Sequence, residues 1–157
     1  MFFYLLSILL ILADQISKYY TLKMLKPIGT LEIIKGVFSL TYVENRGAAF
    51  GILQNARWIF IAATAIAIVC LIVYKCKYKP KGIIINTALL FILSGAVGNM
   101  IDRIWRGFVV DMLEVTFITY PVFNFADCLV VIGAILLAIY ILFIYKESED
   151  VNNDGNV

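Results

Sequence analysis

Four stretches of this chain are apolar at nearly every position, at about residues 2–22, 58–74, 82–103 and 124–145. Each is long enough to cross roughly 30 Å of hydrocarbon at about 1.5 Å of rise per residue, so the pattern predicts four membrane-spanning helices. The pattern changes twice between them. LEIIKGVFSLTYVEN, from Leu31 to Asn45, is rich in β-branched and aromatic residues and is interrupted by Gly36. That composition predicts two short strands rather than a helix. KCKYKPK, at 75–81, crowds Lys75, Lys77, Lys79 and Lys81 into one short loop. The excess of positive charge predicts that this loop is cytoplasmic, with both termini on the same side and residues 23–57 and 104–123 outside. Lys23 and Lys26 then stand on the outer side and oppose the rule, but four lysines outweigh two. Trp58 and Trp105 fall at the outer interface, where indole rings are favoured.

The ends of the chain fit the same scheme. The leading MFFYLLSILLILADQISK lacks a basic start and a small-residue cleavage site, and its helical pattern continues past Asp14. It reads as a retained first span, not a cleaved signal. KESEDVNNDGNV, at the other end, is polar and acidic and reads as disordered. The domain expectation is one integral membrane unit, residues 1–146, with a cytoplasmic tail at 147–157.

Composition agrees with this reading. Of 157 residues 62% are hydrophobic and 15% charged, with a mean hydropathy of +0.93. Soluble domains run nearer half apolar and about a quarter charged. The formal charge of +2 is too small to argue for a nucleic-acid partner. The absence of histidine excludes a serine–histidine–aspartate triad and the helical zinc motif with two histidines. Cys70, Cys76 and Cys128 have no metal or disulfide spacing, and the predicted topology puts Cys76 and Cys128 on opposite sides of the membrane. They read as small core residues or bystanders.

Against this apolar background the polar residues need a reason, because burying ionisable groups in a bilayer is costly. Most lie between Gly98 and Asp127: Asn99, Asp102, Arg103, Arg106, Asp111, Asn124 and Asp127. Counted from the cytoplasmic end of its own helix, Asp14 lies about 20 Å up, Asn99 about 26 Å, Asp127 about 28 Å, and Asp102 with Arg103 about 30 Å. Asp111 follows Asp102 by nine residues and stays near that surface. These separate counts converge on the outer part of the membrane. Asp14 with Lys18, and Asn99 with Asp102 and Arg103, share helix faces at i, i+3 or i, i+4 spacing. Ser94 and Gly98 form a small-xxx-small pair that admits a neighbouring helix.

Several of these features have purely structural readings. Asn124 and Asp127 resemble a helix N-cap with an acidic third position. Asp102 and Arg106 suit a helix-surface ion pair, Asp14 and Lys18 a mutual neutralisation, and Asn45-Arg46-Gly47 a turn. Asp111 differs: it sits in FVVDML with no lysine or arginine within four residues. Burial there raises a carboxyl pKa, a common mark of a functional site. Two functions fit acidic groups in a small helical membrane protein. One is hydrolysis by a carboxylate pair. The alternative is a proton-coupled four-helix transporter with Asp14 as coupling carboxylate. Transporters place such groups near the midplane and often show internal repeats; here the acids gather near one face and no repeat is visible.

Five motifs sharpen the choice: ADQISK at 13–18, NRGAAFG at 45–51, GNMIDR at 98–103, VVD at 109–111 and FNFAD at 123–127. In this order, relative to four spans, the chain resembles the bacterial lipoprotein signal peptidases, or type II signal peptidases, over nearly its whole length. The resemblance implies an all-α membrane protein: a four-transmembrane-helix bundle with a small extracytoplasmic β-cradle, about residues 27–57, and a short surface helix at 47–56. It implies that Asp111 and Asp127 are the catalytic pair of an aspartic endopeptidase. Asp14, Lys18, Asn45, Gly47, Asn99, Asp102, Arg103 and Asn124 would support or shape the site. Such enzymes remove the signal peptide from diacylglyceryl-modified prolipoproteins just before the lipidated cysteine, with no metal or organic cofactor. The implied setting is a monomer among membrane lipids in the bacterial cytoplasmic membrane. Met112 stands where the family commonly has phenylalanine and Cys128 where serine is common, and the link between the two aspartates is a little short.

Overall fold

The computed structural model describes residues 2–47, 54 and 56–145. The elements in order are α1 (Phe2–Tyr20), β1 (Thr30–Ile34), β2 (Phe38–Asn45), α2 (Arg57–Tyr78), α3 (Ile83–Trp105), β3 (Val109–Val115) and α4 (Phe125–Ile139). α1 runs on through a wider π-helical turn, Thr21–Leu25, and α4 through another, Tyr140–Tyr145. With these turns included, the four helices are 24, 22, 23 and 21 residues long and apolar enough to cross a membrane. The short surface helix expected at 47–56 and the tail at 147–157 fall outside the described residues, apart from Gly47, Gln54 and Ala56.

α3 is the central post, with α1, α2 and α4 packed against it. Small residues set how closely they approach. A Cβ built on Gly95 would stand 2.3 Å from the Ala126 carbonyl oxygen, and one on Gly98 would stand 2.6 Å from Asp14 Oδ2. Gly95 thus lets α4 lie backbone-to-backbone on α3. Gly98 leaves room for a carboxylate of α1, a more specific role than the expected helix-packing pair with Ser94.

Burial is inverted relative to a soluble protein. Asp14, Lys18, Asp102 and Asn124 are completely buried, while Ile8, Leu9, Ile66, Val69, Ile135 and Leu142 are exposed. Hydrocarbon solvates apolar side chains as well as a core does, whereas polar groups in a bilayer must find partners inside the protein. The interior at the end of the bundle beside the sheet is therefore a polar network.

Two sequence expectations are corrected here. α2 extends through Lys75 and Lys77 to Tyr78, so the expected lysine-rich loop shrinks to 79–82. Lysine is a good helix former and its charge is favoured at a helix C-terminus. The helix stops only where Lys79 turns left-handed, at φ 43°, just before Pro80. Lys75 also bonds to the Asn86 side chain and lies over the Phe3 ring, tying α1, α2 and α3 together at this end. The second correction is a third strand. The sheet is antiparallel in the order β1–β2–β3, with Val43 opposite Asp111 and Asn45 opposite Val109. β3 shows no alternation because Val109, Val110, Asp111 and Met112 are all buried, so its pattern carries no period of two. The consequence is that Asp111 sits on a strand and not in a loop.

Candidate active site

Four acidic residues converge beneath the sheet, and their partners divide them into two groups. The first lies between α1 and α3. Lys18, one turn beyond Asp14, places its Nζ 2.9 Å from Asp14 Oδ2 and 3.4 Å from Asp102 Oδ2. Arg106, one turn beyond Asp102, pairs with Asp102 Oδ1. Both ion pairs expected from helical spacing are present. Asp14 Oδ1 also accepts from the Ala126 N–H at 3.1 Å, and Asp102 Oδ2 from the Val110 N–H at 2.9 Å. These two carboxylates therefore fasten the start of α4 and the start of β3 to the bundle. Gln15, which the sequence reading missed, closes the cluster. It donates to Asp14 Oδ2 at 3.0 Å and to the Gly98 carbonyl at 3.1 Å, and accepts from Arg106 at 3.1 Å. Its only signal was its position beside Asp14 in ADQISK. Asp14 is thereby completely buried, with partners on both carboxylate oxygens.

The second group is Asp111 and Asp127. Asn124 caps α4: its Oδ1 accepts the Asp127 N–H at 3.0 Å, and Asp127 Oδ2 accepts the Asn124 N–H at 3.1 Å. This reciprocal cap is local and follows from the three-residue spacing. The Asn124 amide then does something the spacing did not predict. Its Nδ2 donates to Asp111 Oδ1 at 2.6 Å and to Asn99 Oδ1 at 3.2 Å. One residue therefore holds Asp127 through its backbone and Asp111 through its side chain. The structural reading of the cap holds, and the same residue also reaches Asp111.

The remaining lone pairs are met by amides too. Asn45 Nδ2 donates to Asp111 Oδ2 at 2.9 Å, and Asn99 Nδ2 to Asp127 Oδ1 at 2.8 Å. The Gly47 N–H donates to Asn45 Oδ1 at 3.1 Å, which turns the Asn45 amino group toward Asp111. Among the described residues, no ion pair reaches either carboxyl group. Asp111 is only 1% exposed. Burial first, and the neighbouring Asp127 charge second, push its carboxyl up to about 6, against the opposing pull of the Asn124 and Asn45 amides. A buried carboxyl beside a second one, held by neutral donors, is suited to sharing and passing a proton.

Arg103 stands at the edge of this group without pairing with it. Its guanidinium lies over the Phe60 ring, 5.0 Å from the centroid, and reaches the Gly47 carbonyl at 3.4 Å. It links α2, α3 and the end of the segment that carries Asn45. The ten positions singled out in the sequence thus fall in one region: Asp111 and Asp127 with Asn45, Asn99 and Asn124 around them, Gly47 and Arg103 at the rim, and Asp14, Lys18 and Asp102 beneath.

The family model for Signal peptidase (SPase) II matches residues 6–143. The chain belongs to the signal peptidase II family. It is 47% identical over 149 residues to a lipoprotein signal peptidase of Clostridioides difficile (strain 630), covering 95% of this chain and 100% of that protein. A lipoprotein signal peptidase of Halothermothrix orenii is also 47% identical, over 139 residues, 88% of this chain and 93% of that one. Among solved structures, a bacterial membrane enzyme determined by the in meso method at 2.3 Å resolution matches with a TM-score of 0.83 at 31% identity, over 89% of this chain and 87% of that one.

The departures from the common signal peptidase II pattern have a local explanation. Met112 packs with Leu25 and Val110, on the α1 side of β3, one strand position away from Asp111. Cys128 is half-buried in the first turns of α4. The short link between the aspartates is accommodated because Phe123 folds back on β3. Its N–H donates to the Leu113 carbonyl at 3.0 Å, and its carbonyl accepts from Leu113 at 2.7 Å and Met112 at 3.0 Å. That pairing delivers Asn124 directly beside Asp111.

Proposed function

We propose that this chain removes signal peptides from prolipoproteins as an aspartic endopeptidase, cutting just before the diacylglyceryl-modified cysteine, with Asp111 and Asp127 as the catalytic pair. The observation that carries the assignment is the second carboxylate group. Two carboxyls from different elements share the Asn124 clamp and, among the described residues, are served by neutral amide and peptide donors with no ion pair on them. Two such groups hold one proton between them more cheaply than none. The ionised member takes a proton from water, whose oxygen attacks the scissile carbonyl. The protonated member gives its hydrogen bond to the carbonyl oxygen and stabilises the developing oxyanion. The proton taken from water then passes to the leaving amine as the carbon–nitrogen bond breaks. Water and the two carboxyls balance this reaction, so we assign no metal or organic cofactor.

Depth supports a lipid-bearing substrate. The pair lies near the end of the bundle where Trp58 and Trp105 are exposed, opposite the lysine-rich end. The positive-inside rule makes that end extracytoplasmic and both termini cytoplasmic, in the bacterial cytoplasmic membrane. A lipidated cysteine sits at the same depth, its acyl chains in hydrocarbon and its peptide bond within reach of the carboxyls. Each buried methylene contributes about 0.8 kcal/mol, so the lipid anchors and orients the peptide. We read the protein as a monomer, a single peptidase domain at 1–146 with membrane lipids around it.

The deciding experiment is cleavage of a diacylglyceryl-modified prolipoprotein by the purified protein and by Asp111→Asn and Asp127→Asn. Both variants are expected to stay folded in detergent and lose processing. Normal cleavage by either would remove the pair from the mechanism.

A further inference from the structure

Lys18 is completely buried, and its bonds exceed what charge balance requires. An ammonium has three N–H donors. Two serve Asp14 and Asp102, and the third reaches a neutral atom, Asn99 Oδ1, at 2.9 Å. The same Asn99 amide donates to Asp127 Oδ1 at 2.8 Å. A continuous chain of bonds therefore runs from a buried cation through one amide to one member of the carboxyl pair. Turning that amide over would set its amino group against the ammonium and its oxygen against the carboxylate, so its orientation is locked at both ends. An amide whose oxygen accepts from a cation is also a stronger donor at its nitrogen.

Among the described residues Asp111 has no bonded path to a cation, only the through-space pull of Lys18. Its two amide donors, Asn45 and Asn124, are backed at their own oxygens by the peptide N–H groups of Gly47 and Asp127. Asp127 Oδ2, by contrast, accepts a peptide N–H at the first turn of α4, where the helix end favours a carboxylate. The two members of the pair are inequivalent by construction.

Resting on the peptidase reading above, we propose that Lys18 is a positioning residue that acts through Asn99. It makes Asp127 the carboxylate that takes the proton from water and leaves Asp111 to hold the shared proton and direct it at the scissile carbonyl oxygen. The bond from water oxygen to carbon forms as Asp127 gains the proton. Asp127 then gives that proton to the leaving nitrogen as the carbon–nitrogen bond breaks, and the proton of Asp111 returns to it. The charged groups facing the pair are Lys18 and Asp14 from α1, Asp102, Arg103 and Arg106 from α3, and the two aspartates themselves. Asp14 and Asp102 offset Lys18 and Arg106, and the through-space pull of Lys18 falls on Asp111, so what singles out Asp127 is the bonded path through Asn99.

The test removes the bond while keeping the charge balance. In the double variant Lys18→Met, Asp14→Asn, one cation and one anion disappear together, and the new amide still accepts from the Ala126 N–H. With folding followed by thermal unfolding in detergent, kcat and KM are measured against pH on a diacylglyceryl-modified prolipoprotein. The acid limb of kcat is expected to move up by about one pH unit and neutral kcat to fall about tenfold, with KM held within about twofold. An unmoved acid limb in the folded double variant overturns the proposal and leaves Lys18 as charge balance alone. If that variant does not fold, Lys18→Met with Asp102→Asn decides, because it too removes one cation and one anion while leaving Asn99 on Asp127: the same upward shift supports the relay and an unmoved limb overturns it. The same assay on Asp111→Asn and Asp127→Asn separates this failure from that of the peptidase reading, which falls only if one of those variants cleaves.

Discussion

The two carboxylate pairs of this molecule lie next to each other and are built on opposite principles. Asp14 and Asp102 are completely buried and meet two cations, Lys18 and Arg106, so the cluster is electrically closed. Asp111 and Asp127 meet three asparagine side chains and a peptide N–H, and no ion pair among the described residues. Neutralised carboxylates hold α1, α3, β3 and α4 together. Amide-bound carboxyls keep their geometry with no ion pair among the described residues, and burial raises that of Asp111. Chemistry follows from the kind of partner, not from the number of acids.

Four measurements would break or sharpen this contrast. The largest effect is expected on catalysis. Asp111→Asn or Asp127→Asn should lower turnover by at least about 10²–10⁴-fold, the usual weight of acid–base groups, with the protein still folded. Next is stability in the closed cluster. Lys18→Met strands Asp14 and leaves Asp102 only Arg106, at a cost of about 3–5 kcal/mol. Chemical or thermal unfolding in detergent reads this, and an unchanged midpoint would mean the cluster is not the structural clamp described.

The third concerns pH. The Asp111 carboxyl is raised to about 6 in the fold, above its ordinary value near 4. The folded state therefore holds this proton more tightly than the unfolded chain does. The stabilisation is fully present below about pH 4 and is lost as pH rises through about 6, a change of about 3 kcal/mol. Wild type minus Asp111→Asn stability should accordingly fall across that window; a flat difference would show that Asp111 is no harder to ionise in the fold than outside it. The smallest effect is expected from Asn45→Ala, which removes one of the two amide donors on Asp111. A fall in kcat of about tenfold, near 1.4 kcal/mol, is expected with little change in KM, and full activity would make Asn124 the sufficient clamp.

What the amino-acid sequence determined by itself about this protein is what short-range physics controls. The four spans were legible because crossing hydrocarbon is a matter of length and composition, and the lysines near one end of α2 indicated direction. The Asp14–Lys18 and Asp102–Arg106 pairs and the Asn124–Asp127 cap are separated by three or four residues, so helical periodicity predicted them. The ordered motifs pointed to Asp111 and Asp127 among the acids. Only the tertiary structure decided the rest. β3 was hidden because it is buried on both faces, and the lysine loop was overdrawn because lysine is content at a helix end. Gln15 gave no charge signal. The bonds from Asn124 to Asp111, from Asn45 to Asp111, and from Lys18 through Asn99 to Asp127 span 13, 66, 81 and 28 positions. No local pattern encodes contacts of that range. They arise because each buried polar group in a bilayer must find a partner wherever the packed helices present one.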